Sequence, residues 1–246
     1  NKQKGTLMHI LSNCKTALTQ GRYSGRHDSV LKCMEPVLFS HIKTHNDSKP
    51  QKSPKKLIKF VKKGEKGSGA AIPNQHLLSA ARDWKCLIDF KENSFVFPTE
   101  ICITELRPDV EFGPLSTKKV VLLELTCPSE ENIVQAKARK TARYLPLLNL
   151  IQSSGWSASL FVIEAGVRGC LSFSFAQCLR KIGVPQTTTK HVCKNVEKVV
   201  NRCSYIIFQA HKQKIWTWQQ LYVLGEALPL PMPPSCMCVC LYVCMC

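Results

Sequence analysis

Several things are scarce in this sequence, and each scarcity narrows what the chain can be. No uninterrupted apolar run is long enough to cross a bilayer, so no transmembrane helix and no membrane partner is expected. The opening "NKQKGTLMHI" lacks the apolar segment of a secretory signal. Cysteines never take a C-x-x-C spacing, although there are 14 of them. Five crowd into the final "CMCVCLYVCMC" and nine are scattered singly, so a disulfide framework is not expected. Reduced thiols in an intracellular compartment fit better. Internal repeats are missing. Acids are few: 17 Asp and Glu face 34 Lys and Arg, a net charge of +17 spread through the chain. That excess points to a polyanionic partner, nucleic acid before an anionic membrane surface, with an incidentally basic protein as the alternative.

What is present divides into four stretches. Residues 1–43 read as helical, with Val30, Leu31, Val37, Leu38 and Ile42 near helical spacing and Pro36 expected to bend or split the helix. Residues 44–69, "THNDSKPQKSPKKLIKFVKKGEKGSG", read as a flexible basic linker. Its "SPKKLIKFVKK" is either a nuclear-import or phosphate-contact patch or a solvated insertion. Residues 70–224 carry the signals of a mixed α/β domain, a sheet flanked by helices. Strands are expected at "WKCLIDF", "ICITELRPDVEF", "KKVVLLELT" and "WSASLFVIEAG". Helices are expected over "PSEENIVQAKARKTARYLPLLNLIQSSG", with Ser129 as N-cap, over "SFSFAQCLRKIGV" and around "HVCKNVEKVVNRCSYIIFQAHK". Residues 225–246 read as a disordered low-complexity tail without a role, since no His or C-x-x-C turns its cysteines into a zinc site.

Two acids stand where apolar residues are wanted. Glu124 interrupts "VVLLELT", and Asp109 lies across the "GPLST" turn. A hairpin centred between Ser116 and Thr117 puts both equally far from the turn, hence opposite each other. Directly opposed side chains have Cβ atoms about 4.5–5.5 Å apart, and like charges there repel. A divalent cation removes both the repulsion and the cost of burial, and Mg²⁺ prefers carboxylates with water and phosphate oxygens. The alternative is an exposed edge hairpin with two solvated acids. The doubly apolar strand weighs against it.

Helical periodicity in the next segment aligns Ile133, Ala136, Lys140, Tyr144, Leu147 and Ile151 on one stripe. Lys140 is thereby expected on the face that docks on the sheet, near the two acids, or else snorkelling to water. Lys137, Arg139 and Arg143 beside the stripe add positive potential and are candidate nucleic-acid contacts.

The pattern Pro108-Asp109, then Glu124-Leu125-Thr126, resembles the PD-(D/E)xK nuclease motif. "GRYSGRHDSVLK", "ITELRPDVEF", "VVLLELTCPSEENIVQAKARKTARY", "GWSASLFVIEAGVRG" and "LRKIGV" are together similar to the restriction-enzyme-like endonuclease domain near the C-terminus of non-LTR retrotransposon proteins. The resemblance covers most of residues 1–220 and implies a restriction-endonuclease-like fold. The implied activity is a Mg²⁺- or Mn²⁺-dependent nick in DNA that primes reverse transcription, in the nucleus, with DNA, or DNA and element RNA, as partners. Asp109 and Glu124 would hold the metal. Thr126 stands where the motif puts lysine, and Lys140 on the following helix takes that place, with Tyr144 supporting it. Glu130 is a further candidate metal or water ligand, and Arg26 and His27 are candidate phosphate contacts. His9 and Cys14 match the last two ligands of a zinc knuckle that precedes this domain in such proteins; without the other two, no zinc is expected in this chain. The chain is expected to be a truncated copy. The alternative function is a catalytically dead nucleic-acid-binding remnant.

Overall fold

The computed structural model describes residues 5–48, 76–90, 95–114 and 116–213. Most of the basic linker, the end of the expected domain beyond 213 and the cysteine-rich tail lie outside the described residues. A five-residue π-helix, His9–Asn13, leads into α1 (Lys15–Thr19) and the long α2 (Arg22–Asp47). Four strands follow: β1 (Trp84–Ile88), β2 (Val110–Pro114), β3 (Lys119–Thr126) and, after helix α3 (Ile133–Ser153), β4 (Ser157–Glu164). Helices α4 (Phe173–Ile182) and α5 (Gln186–Gln209) follow, and a 3₁₀ turn, Ala210–Lys212, comes last among the described residues. The sheet order is β1-β2-β3-β4, antiparallel except for the parallel β3–β4 pair that α3 connects.

Alternation along β3 explains the layers. Val121, Leu123 and Leu125 join the larger core with Val30, Leu31 and Met34 of α2, Leu179 of α4 and Val196 of α5. Val120 and Leu122 face the other way, into a smaller core with Tyr144, Leu147 and Ile151 of α3. Each fully buried Val or Leu contributes about 1.5–3 kcal/mol, so a strand apolar on both faces anchors both layers. Glu124 and Thr126 continue the α3 face. α4 stops at Gly183, whose φ of 107° suits the left-handed C-terminal turn.

Four expectations change. α2 runs through Pro36 instead of splitting, and it continues to Asp47, past the expected linker start. It packs into the larger core, so α2 belongs with the sheet and is no separate segment. The stretch 101–109 is irregular, and β2 begins only at Val110. Pro108 has no amide hydrogen for a ladder, which keeps the strand short on that side. Ser129 precedes the 3₁₀ turn Glu130–Asn132 that leads into α3, but its side chain makes no capping bond. Its hydroxyl instead accepts from the Asn132 side chain at 2.9 Å.

Glu111 on β2 shares the α3 face with Asp109. It is 3% exposed, one of its carboxylate oxygens has no partner, and burial raises its pKa to about 7. Between pH 4.5 and 7 the folded state keeps a proton that the unfolded chain releases, so stability falls as pH rises through that window. At 1.36 kcal/mol per unit the loss totals about 3 kcal/mol. Glu111→Gln is therefore expected to raise stability at pH 8 by about 2 kcal/mol and to change little at pH 4. Urea midpoints at the two pH values check this; equal shifts at both would show that Glu111 is not protonated on folding.

Candidate functional site

The hairpin register pairs Val110 with Leu123, Glu111 with Leu122 and Phe112 with Val121. Those sums centre the turn between Ser116 and Thr117, as the sequence predicts, and extending the register one step sets Asp109 against Glu124. The two acids interlock. The Asp109 amide donates to Glu124 Oε2 at 3.4 Å, and the Leu125 amide donates to Asp109 Oδ2 at 2.6 Å. Their side chains are 14% and 2% exposed, so neither is a solvated edge acid.

α3 supplies the countercharge. Ala136, Tyr144, Leu147 and Ile151 are buried against the sheet, and Lys140 lies among them with its ammonium bonded to Glu124 Oε1. It reaches inward to the acid and does not snorkel out. The Glu124 carboxyl is held above its ordinary range by burial, then by the charge of Asp109, with Lys140 opposing. Tyr144 donates its hydroxyl to the Arg107 carbonyl at 2.7 Å, two residues before Asp109, and so fixes the loop that carries Asp109.

α2 adds a second cation. His27 Nε2 lies 3.1 Å from Asp109 Oδ2, and its Nδ1 lies 3.1 Å from Asp28. Burial disfavours the charged ring, but the Asp109 charge and the bonds to Asp109 and Asp28 prevail, so the imidazole is held well above its usual range. An ammonium and an imidazolium thus flank two carboxylates.

Other expected site residues are placed elsewhere. Arg26 is 1% exposed and gives its guanidinium to Ser204 Oγ, Leu11 O and Cys127 O at 3.1, 3.0 and 3.5 Å. It ties three segments together and presents nothing to a phosphate, which corrects that expectation. Glu130 accepts from the Arg168 backbone N–H at 2.7 Å and from its Nε at 2.9 Å, and forms no three-ligand group with Asp109 and Glu124. Its expected role as a metal or water ligand gives way to that clasp. Arg139 and Arg143 are exposed on α3. Lys137, half-exposed, lies 3.6 Å from Glu164 at the end of β4. His9 opens the π-helix and Cys14 follows it, its amide bonded to the Tyr23 hydroxyl at 2.9 Å.

Sequence reasoning passed over Glu164. It is 1% exposed on the same sheet face as Glu124, its register partner being Thr126, and it accepts from Ser174 Oγ. The signal was available: one acid closing the apolar run "LFVIE", just as Glu124 interrupts "VVLLEL".

Among the described residues no three His, Cys, Asp or Glu side chains form a ready cation cage. Asp109 and Glu124 are of the ligand type that Mg²⁺ takes one or two of, with water and phosphate oxygens as the rest. No family model matches the chain, and no curated protein matches it.

Proposed function

We propose that the chain is a metal-dependent DNA endonuclease domain that nicks one strand of target DNA, as in the non-LTR retrotransposon proteins whose motifs it resembles. The observation that carries the reading is the buried Asp109–Glu124 pair with Lys140 bonded to Glu124. Asp109 and Glu124 would hold the divalent cation. When bound, it supplies Lewis-acid stabilisation of the phosphate and a more acidic water. The chain's own groups do the rest. Lys140, held against Glu124 on the buried stripe of α3, would place a positive charge beside the scissile phosphate, where it favours the transition state over the ground state. His27 orients Asp109 through its own bond to Asp28. Tyr144 keeps the Asp109 loop against α3. Exposed Arg139 and Arg143 extend the positive surface along the same helix.

The test joins nicking to binding. Supercoiled plasmid should be relaxed by the wild type with Mg²⁺ or Mn²⁺ and left intact with EDTA. Duplex affinity should fall steeply with salt, the slope of log K being roughly −0.9 per phosphate contact. Binding without nicking under any divalent cation would instead favour a catalytically dead binding remnant. A flat salt response would show that the net charge of +17 is incidental.

A further inference from the structure

The outer face of α5 has no part in the carboxylate site. Its apolar side, Val192, Val196 and Val200, packs the sheet face opposite α3. Facing outward, Lys190, Lys194, Lys198 and Arg202 follow one another at every fourth residue, all exposed. None of the four forms an ion pair among the described residues. The same face then turns aromatic: Tyr205 is 40% and Phe208 38% exposed. At 3.6 residues per turn these six residues share an arc of about 120°. Phe208 already stacks a ring, that of His211, with centroids 5.4 Å apart and planes 23° from parallel.

Beside the aromatic end lies a cavity of about 190 Å³, lined by Leu11, Val167, Arg168, Asn201, Tyr205 and Phe208 among others. Drug-sized sites occupy roughly 300–1,000 Å³, so this one has room for about a single planar ring. Its rim is held in place. Glu130 and Glu131 hold the Arg168 guanidinium at 2.9 and 3.0 Å. Gly169, with φ at 88°, leaves space that the Asn201 amide fills: a Cβ there would stand 2.5 Å from Asn201 Nδ2. The cavity is lined mostly by apolar surface and carries the rings of Tyr205 and Phe208, so what it offers an unpaired base is stacking.

We propose that α5 is a single-stranded nucleic-acid tract, its four cations following the backbone and the cavity at its end taking one unpaired nucleobase. A paired base would not enter, because its faces are covered in the duplex. An anionic membrane is the poorer occupant, since the apolar side of α5 is spent on the core and only two large apolar side chains of this helix are exposed. The proposal goes beyond the nicking reading and needs neither acid nor metal.

The experiment is fluorescence anisotropy of the full chain with a labelled single-stranded oligodeoxynucleotide, in EDTA so that cleavage plays no part. The same oligonucleotide with abasic sites is the reference. Base stacking on an aromatic side chain makes the abasic strand bind about tenfold more weakly. Tyr205→Ala should bring the normal strand down to the abasic level and leave abasic binding unchanged, while Tyr205→Phe preserves the difference. Lys194→Glu with Lys198→Glu should flatten the salt slope of both strands by roughly 0.7 per lost contact. Tyr205 is exposed, and circular dichroism melting confirms that its variants fold; Phe208→Ala repeats the test at the neighbouring ring. Equal binding of normal and abasic strands, or equal loss of both in Tyr205→Ala, overturns the base pocket. Phosphatidylserine vesicles competing with the same dependence on Tyr205 would overturn it in favour of a membrane contact.

Discussion

Lys140→Ala is expected to lower Mg²⁺-dependent nicking by about 10²–10³-fold, the loss typical of one electrostatic donor at a developing charge. Duplex affinity should hardly move, because one lysine is a small part of a surface carrying +17. The variant has a side effect that must be separated. It strands Glu124, 1% exposed and already raised in pKa, without its ammonium. A buried carboxylate without a partner takes up a proton or destabilises the fold. Lys140→Ala combined with Glu124→Gln removes the stranded charge and should restore melting behaviour. Nicking is compared between Lys140→Ala and the wild type below the variant's melting temperature, because Glu124→Gln alone is expected to stop nicking through the cation. Asp109→Asn should also stop nicking, through the cation, and rising Mn²⁺ should restore part of its activity but none to Lys140→Ala. If Lys140→Ala nicks at the wild-type rate, the lysine assignment falls while the carboxylate site stands.

Local symmetry and periodicity made the centre of this site legible. A hairpin read outward from its turn has one register, and two apolar strands meeting at "GPLST" leave little freedom to slip. Lys140 is legible because Ala136 and Tyr144 stand one turn to either side of it on a buried stripe. The irregular run 101–109 was not, since its alternating apolar residues imitate a strand until Pro108 interrupts the ladder. Partners supplied from far along the chain were hidden as well. Glu130 reads as a helix-start acid, but Arg168 claims it from 38 residues away. The basic face of α5 was present in the spacing of Lys190, Lys194, Lys198 and Arg202. Only the packing of Val192, Val196 and Val200 shows which way that face turns.

Arg26 is the sharpest case, and its replacement should have the larger effect on stability. A phosphate-contacting arginine would be exposed, and losing it would lower the salt slope of duplex binding by roughly 0.9 without touching the fold. Here the guanidinium is buried and joins the π-helix at Leu11, the end of β3 at Cys127 and α5 at Ser204, a residue 178 positions away. Burial lowers its pKa, so the charge is kept at a cost that these acceptors offset. Arg26→Ala removes the packing and leaves the Leu11 and Cys127 carbonyls without this donor. Hydrogen bonds to a charged group contribute about 1.5–3 kcal/mol each, so the loss of two or more should cost roughly 3–5 kcal/mol. Arg26→Met refills much of the volume and carries no charge into the interior, so it should recover part of that loss; buried ionic groups replaced by apolar side chains of like size are often tolerated. Urea unfolding measures both variants, and the salt slope of duplex binding, taken below their melting temperatures, should match the wild type. A variant that keeps full stability and loses one unit of slope would return Arg26 to the surface as a phosphate contact.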